Sequence, residues 1–169
     1  MHMRSYKDLN YNYQGVDLIL DNRKLNSLDG CPEDITGDFD CSNNYLRSLV
    51  GGPQRVAGWY DAEHQNSSLT SLVGCASHIG HRLYFCGNDE LTSLVGIHKI
   101  IKSCKIMTFD SENITEGGIG LLMINNLTEI TDDAIQFHII KQYLGSGTKG
   151  MMECSKELTA KGYSPYAKL

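Results

Sequence analysis

The densest group of potential metal ligands in the sequence is formed by Cys75, His78 and His81, and Cys86 follows shortly afterwards. Thiolates and imidazoles are the side chains that zinc prefers, so this group could form a zinc site. However, Cys75 and His78 fall at variable turn positions of an internal repeat, and Cys86 falls at a position that we expect to face the core. We therefore expect neither a metal nor a cofactor.

Signals of catalysis are few. His64 stands where other repeat units carry an apolar residue, and an extra residue close by predicts a local bulge there. The sequence has no GxSxG, phosphate-loop or HExxH motif. We expect a protein that is not an enzyme. An enzyme built around His64, His78 and His81 remains an alternative.

An internal repeat predicts the elements that position these residues. The motif LxSLxG begins at Leu25, Leu46, Leu69 and Leu91, at intervals of 21, 23 and 22 residues. An asparagine stands three residues before each of these leucines, and a β-branched residue stands ten residues after it. Leucines that recur once per unit can stack into a continuous core that one unit could not bury alone. Alternation of period two before each leucine predicts a short strand.

The segment FDCSNNYL at 39–46 resembles the LxLxxNxL segment of leucine-rich-repeat proteins, most closely the short bacterial kind. The resemblance covers about residues 16–127 and implies an α/β repeat fold, a leucine-rich-repeat-like β-solenoid of about six short coils. It is imperfect at the family's buried asparagine, because the asparagine that recurs here lies one residue earlier. The family's asparagine position falls on Arg23, Asn44, Ser67 and Asp89.

The sequence after residue 130 has a different pattern. Acidic residues and spacing-four apolar residues predict a helix that starts near Thr131, and a second helix is predicted from about Met151 to Lys161. We therefore divide the chain into a repeat domain at 1–130 and a C-terminal helical cap at 131–169. The tail and the LxSLxG units together are similar to uncharacterised bacteriophage repeat proteins, which implies a phage setting.

Composition narrows the classes of partner. The net charge of −5 argues against a nucleic acid or an anionic membrane as the partner. No apolar run is long enough to cross a bilayer, and the polar N-terminus predicts no signal peptide. Six cysteines without CxxC pairs are typical of reduced, buried thiols. We expect a cytoplasmic protein, in the bacterial host cytoplasm if a phage encodes it.

The predicted strands also define a candidate protein-binding face, because alternate strand residues point away from the core. This face is acidic and has one aromatic side chain, which would suit a basic protein surface. Its predicted members are Ile19, Asp21, Asp40, Ser42, Glu63, Gln65, Phe85, Thr108 and Asp110.

The leading hypothesis is a non-catalytic protein-binding repeat module, encoded by a phage, that binds or inhibits a bacterial host protein such as a defence factor. One alternative is a virion or assembly component that self-associates. Another is an acidic mimic of nucleic acid, and the last is the enzyme mentioned above. The sequence does not predict the oligomeric state.

Overall fold

The computed structural model describes residues 4–169. Within these residues the chain forms parallel sheets of six, three and two strands, in the orders β11-β10-β9-β7-β5-β2, β4-β6-β8 and β1-β3. The strands are β1 (Arg4–Ser5), β2 (Leu18–Ile19), β3 (Leu25–Ser27), β4 (Asp34–Ile35), β5 (Phe39–Asp40), β6 (Arg55–Val56), β7 (Tyr60–Asp61), β8 (His78–Ile79), β9 (Arg82–Tyr84), β10 (Ile106–Thr108) and β11 (Glu129–Thr131).

Three α-helices lie in the described part of the chain, and two of them follow the last strand, where the sequence predicts helices. They are α1 (Ile97–Ile100), α2 (Ile135–Lys141) and α3 (Gly147–Ala160), and 3₁₀ turns occur at Tyr6–Leu9, Ile119–Met123 and Ser164–Ala167. None of the helices in residues 4–169 is both long and apolar enough to cross a membrane.

The predicted leucine-rich-repeat-like β-solenoid of about six coils with a helical cap is wrong as a fold class. The structure is an α/β fold made of the three parallel sheets and the α-helices. The physical reason lies in the repeat period, which sets only the length of chain between successive strands. Any parallel sheet needs a crossover of a dozen residues or more. The period therefore indicates in-register parallel strands, but it does not determine the fold class.

One column of apolar residues holds the six-stranded sheet in register. Its members pair strand by strand at positions 21 to 24 residues apart: Leu18, Phe39, Tyr60, Leu83, Met107 and Ile130. All are buried, between 0% and 2% exposed. A one-residue slip would expose the whole column, so burial fixes the register. Ile35, Val56 and Ile79 form the equivalent buried column of the three-stranded sheet.

Buried amide side chains satisfy the backbone where the chain turns away from the six-stranded sheet. Asn44 accepts from the Leu25 amide at 2.9 Å and donates to the carbonyls of Leu20 and Cys41. Gln65 and Asn88 do the same in the next two units. Buried backbone groups must find such partners. We call these three buried side chains the amide ladder. Of the asparagines that stand three residues before each repeat leucine, only Asn88 belongs to it, since Asn43, for example, is exposed.

The C-terminal helices share the core of the sheet. Phe137 of α2 is fully buried, and its ring packs edge-on against Phe109 at a centroid distance of 5.0 Å. Tyr166 packs against the Phe137 ring at a centroid distance of 5.8 Å and donates a hydrogen bond to the Ile114 carbonyl at 2.7 Å. Cys154 and Leu158 of α3 are also fully buried. The helices and the sheet therefore belong to one continuous core.

Candidate functional site

The side of the six-stranded sheet that points away from the core is the most distinctive surface of the molecule. We call it the outer face. It comprises three rows that run across the strands: Asp17, Asp38, Trp59, Arg82, Ile106 and Glu129; Ile19, Asp40, Asp61, Tyr84, Thr108 and Thr131; and Asp21, Ser42, Glu63, Cys86 and Asp110.

The outer face is strongly acidic. Arg82 is the one lysine or arginine among its members, whereas carboxylates occupy both end strands and the centre. Ion pairs elsewhere in residues 4–169 join Lys7 to Asp29 and Arg55 to Asp34, but none of those found involves an outer-face carboxylate. Apart from the single guanidinium of Arg82, no lysine or arginine of the described chain compensates the negative charge of this face.

Asp61 lies at the centre of this charge. The pKa of its carboxyl is raised from 3.8 to about 6, mainly by burial and to a smaller extent by the neighbouring carboxylates of Glu63 and Asp40. A hydrogen bond from the Glu63 amide, 2.9 Å long, and the nearby His64 act in the opposite direction. A half-buried carboxylate beside two like charges is costly for the fold. A cation from outside the chain would relieve that cost.

Aromatic side chains lie next to the central carboxylates. Trp59 and Tyr84 are half-buried and meet edge to face at 6.3 Å. The guanidinium of Arg82 lies 5.4 Å from the centre of the Tyr84 ring, a cation–π contact within the chain itself. The Arg82 Nε is buried and has no hydrogen-bond partner within residues 4–169. Tryptophan, tyrosine and arginine are the residue types most enriched in protein-binding hot spots.

Backbone hydrogen bonds hold the acidic side chains in place. Asp17 accepts from the Asp38 amide at 2.8 Å, and Asp38 accepts from the Trp59 amide at 2.9 Å. Asp40 accepts from the amide and the hydroxyl of Ser42. In each contact a single carboxylate oxygen accepts. These bonds limit the side-chain entropy that a partner would have to remove on binding.

The outer face includes most of the residues predicted for it. Ile19, Asp21, Asp40, Glu63, Thr108 and Asp110 lie on it and are exposed or half-buried. Ser42 also lies on it, but it is only 6% exposed because its hydroxyl bonds to the carboxylates of Asp40 and Asp21. Whether this face binds protein stays a prediction.

The placements of Phe85 and Gln65 on this face are wrong. Phe85 is 2% exposed and stacks on Phe109 at 4.8 Å. Gln65 is fully buried in the amide ladder. For Phe85 the cause is a one-residue error of register, because Leu83 and not Tyr84 pairs with Met107. A shift of one residue exchanges the two faces of a strand.

The predicted face did not include Trp59, Asp61, Arg82 or Tyr84. The available signal was the spacing of 21 residues from Phe39, which places Tyr60, and not Ala62, opposite Phe39 in the sheet. With Tyr60 inward, Trp59 and Asp61 must point outward, because strand side chains alternate.

The candidate metal ligands do not form a cluster. Cys75 is 3% exposed and burial raises the pKa of its thiol, whereas His78 and His81 are exposed. Cys86 lies on the outer face and not in the core as predicted, and burial followed by a hydrogen bond with Glu63 raises the pKa of its thiol. Among residues 4–169, no three histidine, cysteine or carboxylate side chains are grouped so that they could hold a metal ion.

His64 does not occupy the core position predicted for it. Its side chain is exposed, its backbone is left-handed with φ of 51°, and Gln65 takes the inward position instead. Left-handed residues at Asn66 and Ser67 follow directly, so the chain is irregular here.

A comparison of the chain with known protein families, with curated proteins and with solved structures finds no match in any of the three.

Proposed function

We propose that this chain is a non-catalytic protein-binding module and that its outer face takes a positively charged surface of the partner. The observation that carries the proposal is the trio Asp40, Asp61 and Glu63, which lies close together without a lysine or arginine partner in residues 4–169. Complementary charge steers association and fixes orientation, while aromatic neighbours supply the buried contact area. Trp59 and Tyr84 provide that area.

We further propose that the partner is a bacterial host protein, such as a defence factor, which the chain inhibits from the host cytoplasm. The support for this part is the similarity of the LxSLxG units and the tail to bacteriophage repeat proteins. The chemistry of the outer face adds that the partner surface is basic.

The test is affinity capture from bacterial lysate with mass spectrometry, followed by calorimetry with the captured protein. The variant Asp40→Asn/Asp61→Asn/Glu63→Gln removes the central charge and keeps an acceptor oxygen at each position. Glu90→Gln/Glu112→Gln/Glu153→Gln is the matched control, since it removes the same charge from exposed residues outside the outer face.

We expect the first variant to bind the partner at least about tenfold more weakly, a loss of about 1.4 kcal/mol, and the control to bind normally. Affinity should also fall as the salt concentration rises, because exposed charges are screened. Equal affinity of the two variants would exclude the outer face as the docking surface. Failure to capture any specific protein would count against the binding role itself.

A further inference from the structure

The last strand of the six-stranded sheet has an open edge. In a parallel ladder both polar backbone groups of one residue point to the same neighbouring strand, and the direction alternates along the chain. The Thr108 carbonyl accepts from the Phe85 amide, so Thr108 faces β9. The N–H and C=O of the preceding residue, Met107, therefore point towards β11, where Glu129 and Thr131 lie opposite them. The N–H and C=O of Ile130 therefore point away from β10, where the described chain places no further strand.

A cleft lies along this edge. It measures about 480 Å³ and is lined by residues 128–133 of the β11 region together with Lys141 and Leu144. Open edges of this kind accept an added strand through their free N–H and C=O groups.

The charges around the edge select what could occupy it. Glu129 is exposed and forms no ion pair with any of residues 4–169, and Asp133 is exposed beside Lys141, 3.5 Å away. A strand laid beside β11 would place alternate side chains next to Glu129, Thr131 and Asp133. Basic side chains would be favoured there, since opposite charges on neighbouring strands attract.

A second copy of this chain fits the edge poorly. The open edge at the other end of the sheet is β2, where Leu18 and Leu20 bond towards β5 and Ile19 points outward. Docked on β11 in continuing register, β2 would bring Asp17 beside Glu129 and Asp21 beside Asp133. Like charges in these positions oppose self-assembly.

On the basis of the protein-binding role proposed above, we infer that the β11 edge binds an extended segment of the partner protein as a seventh strand. That segment carries basic side chains at alternate positions and apolar side chains between them. The basic side chains continue the contact with the outer face, and the apolar ones enter the cleft near Leu144. The partner is thus recognised both by its charge and by the conformation of one segment.

Three peptides test this directly. RVRVRV has the required alternation, RRRVVV has the same composition without it, and EVEVEV has the opposite charge. We expect RVRVRV to bind at least about tenfold more tightly than either of the others. Equal binding of RVRVRV and RRRVVV would overturn the added strand, but it would leave the acidic outer face as the proposed docking surface. Binding of none of the peptides, with normal capture of the partner, would likewise overturn only the inference.

Amide hydrogen exchange locates the peptide. With saturating RVRVRV, exchange of the Ile130 amide should slow, while exchange of the Ile19 amide at the opposite edge should not change. N-methylation of one alternate set of peptide amides should abolish binding, and methylation of the other set should be tolerated. Protection of Ile19 in place of Ile130, or equal effects of both methylation sets, would overturn the proposed position.

A charge reversal provides the protein-side control. Glu129→Lys should weaken RVRVRV binding at least about tenfold and improve binding of EVEVEV, whereas Glu112→Lys should change neither. Both residues are exposed, so neither variant should unfold the chain.

Light scattering completes the test, since we expect a monomer. Self-association that Ile19→Pro abolishes would show that a second copy occupies the edge and would overturn the inference.

Discussion

At the scale of single residues, Asp61 illustrates a conflict between folding and binding. Its pKa is raised from 3.8 to about 6, mainly by burial. Below about pH 3.8 the carboxyl is protonated in both the folded and the unfolded chain. As the pH rises towards 6 the unfolded chain ionises first, so the stability that the protonated group contributes is lost across this window and stays lost above it.

Asp61→Asn should therefore raise the free energy of unfolding at about pH 7.5 by about 1 kcal/mol, a value reduced for the partial exposure of the group. The gain should vanish near pH 4, where the wild-type carboxyl is protonated. Urea unfolding at the two pH values measures it, with Glu112→Gln as the control. A gain that is the same at both pH values would mean that the charge of Asp61 is not its cause.

Asn44 is the residue on which local backbone order most depends. Its side chain bonds to backbone groups of Leu20, Leu25 and Cys41, and all of these bonds are buried. Asn44→Ala would leave them unsatisfied, so we expect a loss of about 2–4 kcal/mol in the free energy of unfolding. Thermal or urea unfolding measures this. The exposed Asn26→Ala should cost less than about 0.5 kcal/mol, and equal losses for the two would contradict the bonding role.

At the scale of elements, the turn glycines Gly74 and Gly145 both have a positive φ but differ in whether a Cβ would fit. Gly74 has φ of 88°, and a Cβ there would overlap the backbone of Val50 in the preceding unit. Gly145 has φ of 76°, but a Cβ there would meet nothing within 4 Å. Gly145→Ala therefore costs only the left-handed strain, about 1 kcal/mol.

Gly74→Ala adds the steric overlap to the same strain, and we expect a loss of at least about 3 kcal/mol in the free energy of unfolding. Urea unfolding of the two alanine variants side by side tests this. Similar losses would mean that the units do not approach each other closely at Gly74.

The elements also show how far the sequence could predict the molecule. The buried leucines and β-branched residues follow from the repeat, because each unit must bury the same positions. The members of the outer face could be predicted from the sequence only in part, because strands of two or three residues have too little alternation to define their own register. Tyr60 and Leu83 set that register through burial, which depends on neighbouring strands. The predicted face therefore did not include Trp59 and Tyr84.

At the scale of the whole molecule, the question is whether residues 131–169 form a unit separate from residues 1–130. A row of packed aromatic rings crosses that boundary. The ring centroids are 4.8 Å apart for Phe85 and Phe109, 5.0 Å for Phe109 and Phe137, and 5.8 Å for Phe137 and Tyr166. A core shared in this way couples the sheet and the helices energetically. We therefore expect the two parts to unfold together.

Phe137→Ala tests this coupling, because it removes a fully buried ring from the centre of the shared core. The expected loss is about 3–5 kcal/mol in the free energy of unfolding. Fluorescence of Trp59, the single tryptophan, reports on the sheet, and hydrogen exchange of α3 amides reports on the helices. Both probes should show the same loss and coincident transitions. A variant in which α3 exchanges freely while the Trp59 transition is unchanged would show that the helices form a separate domain, and the exposed Ile135→Ala should alter neither probe.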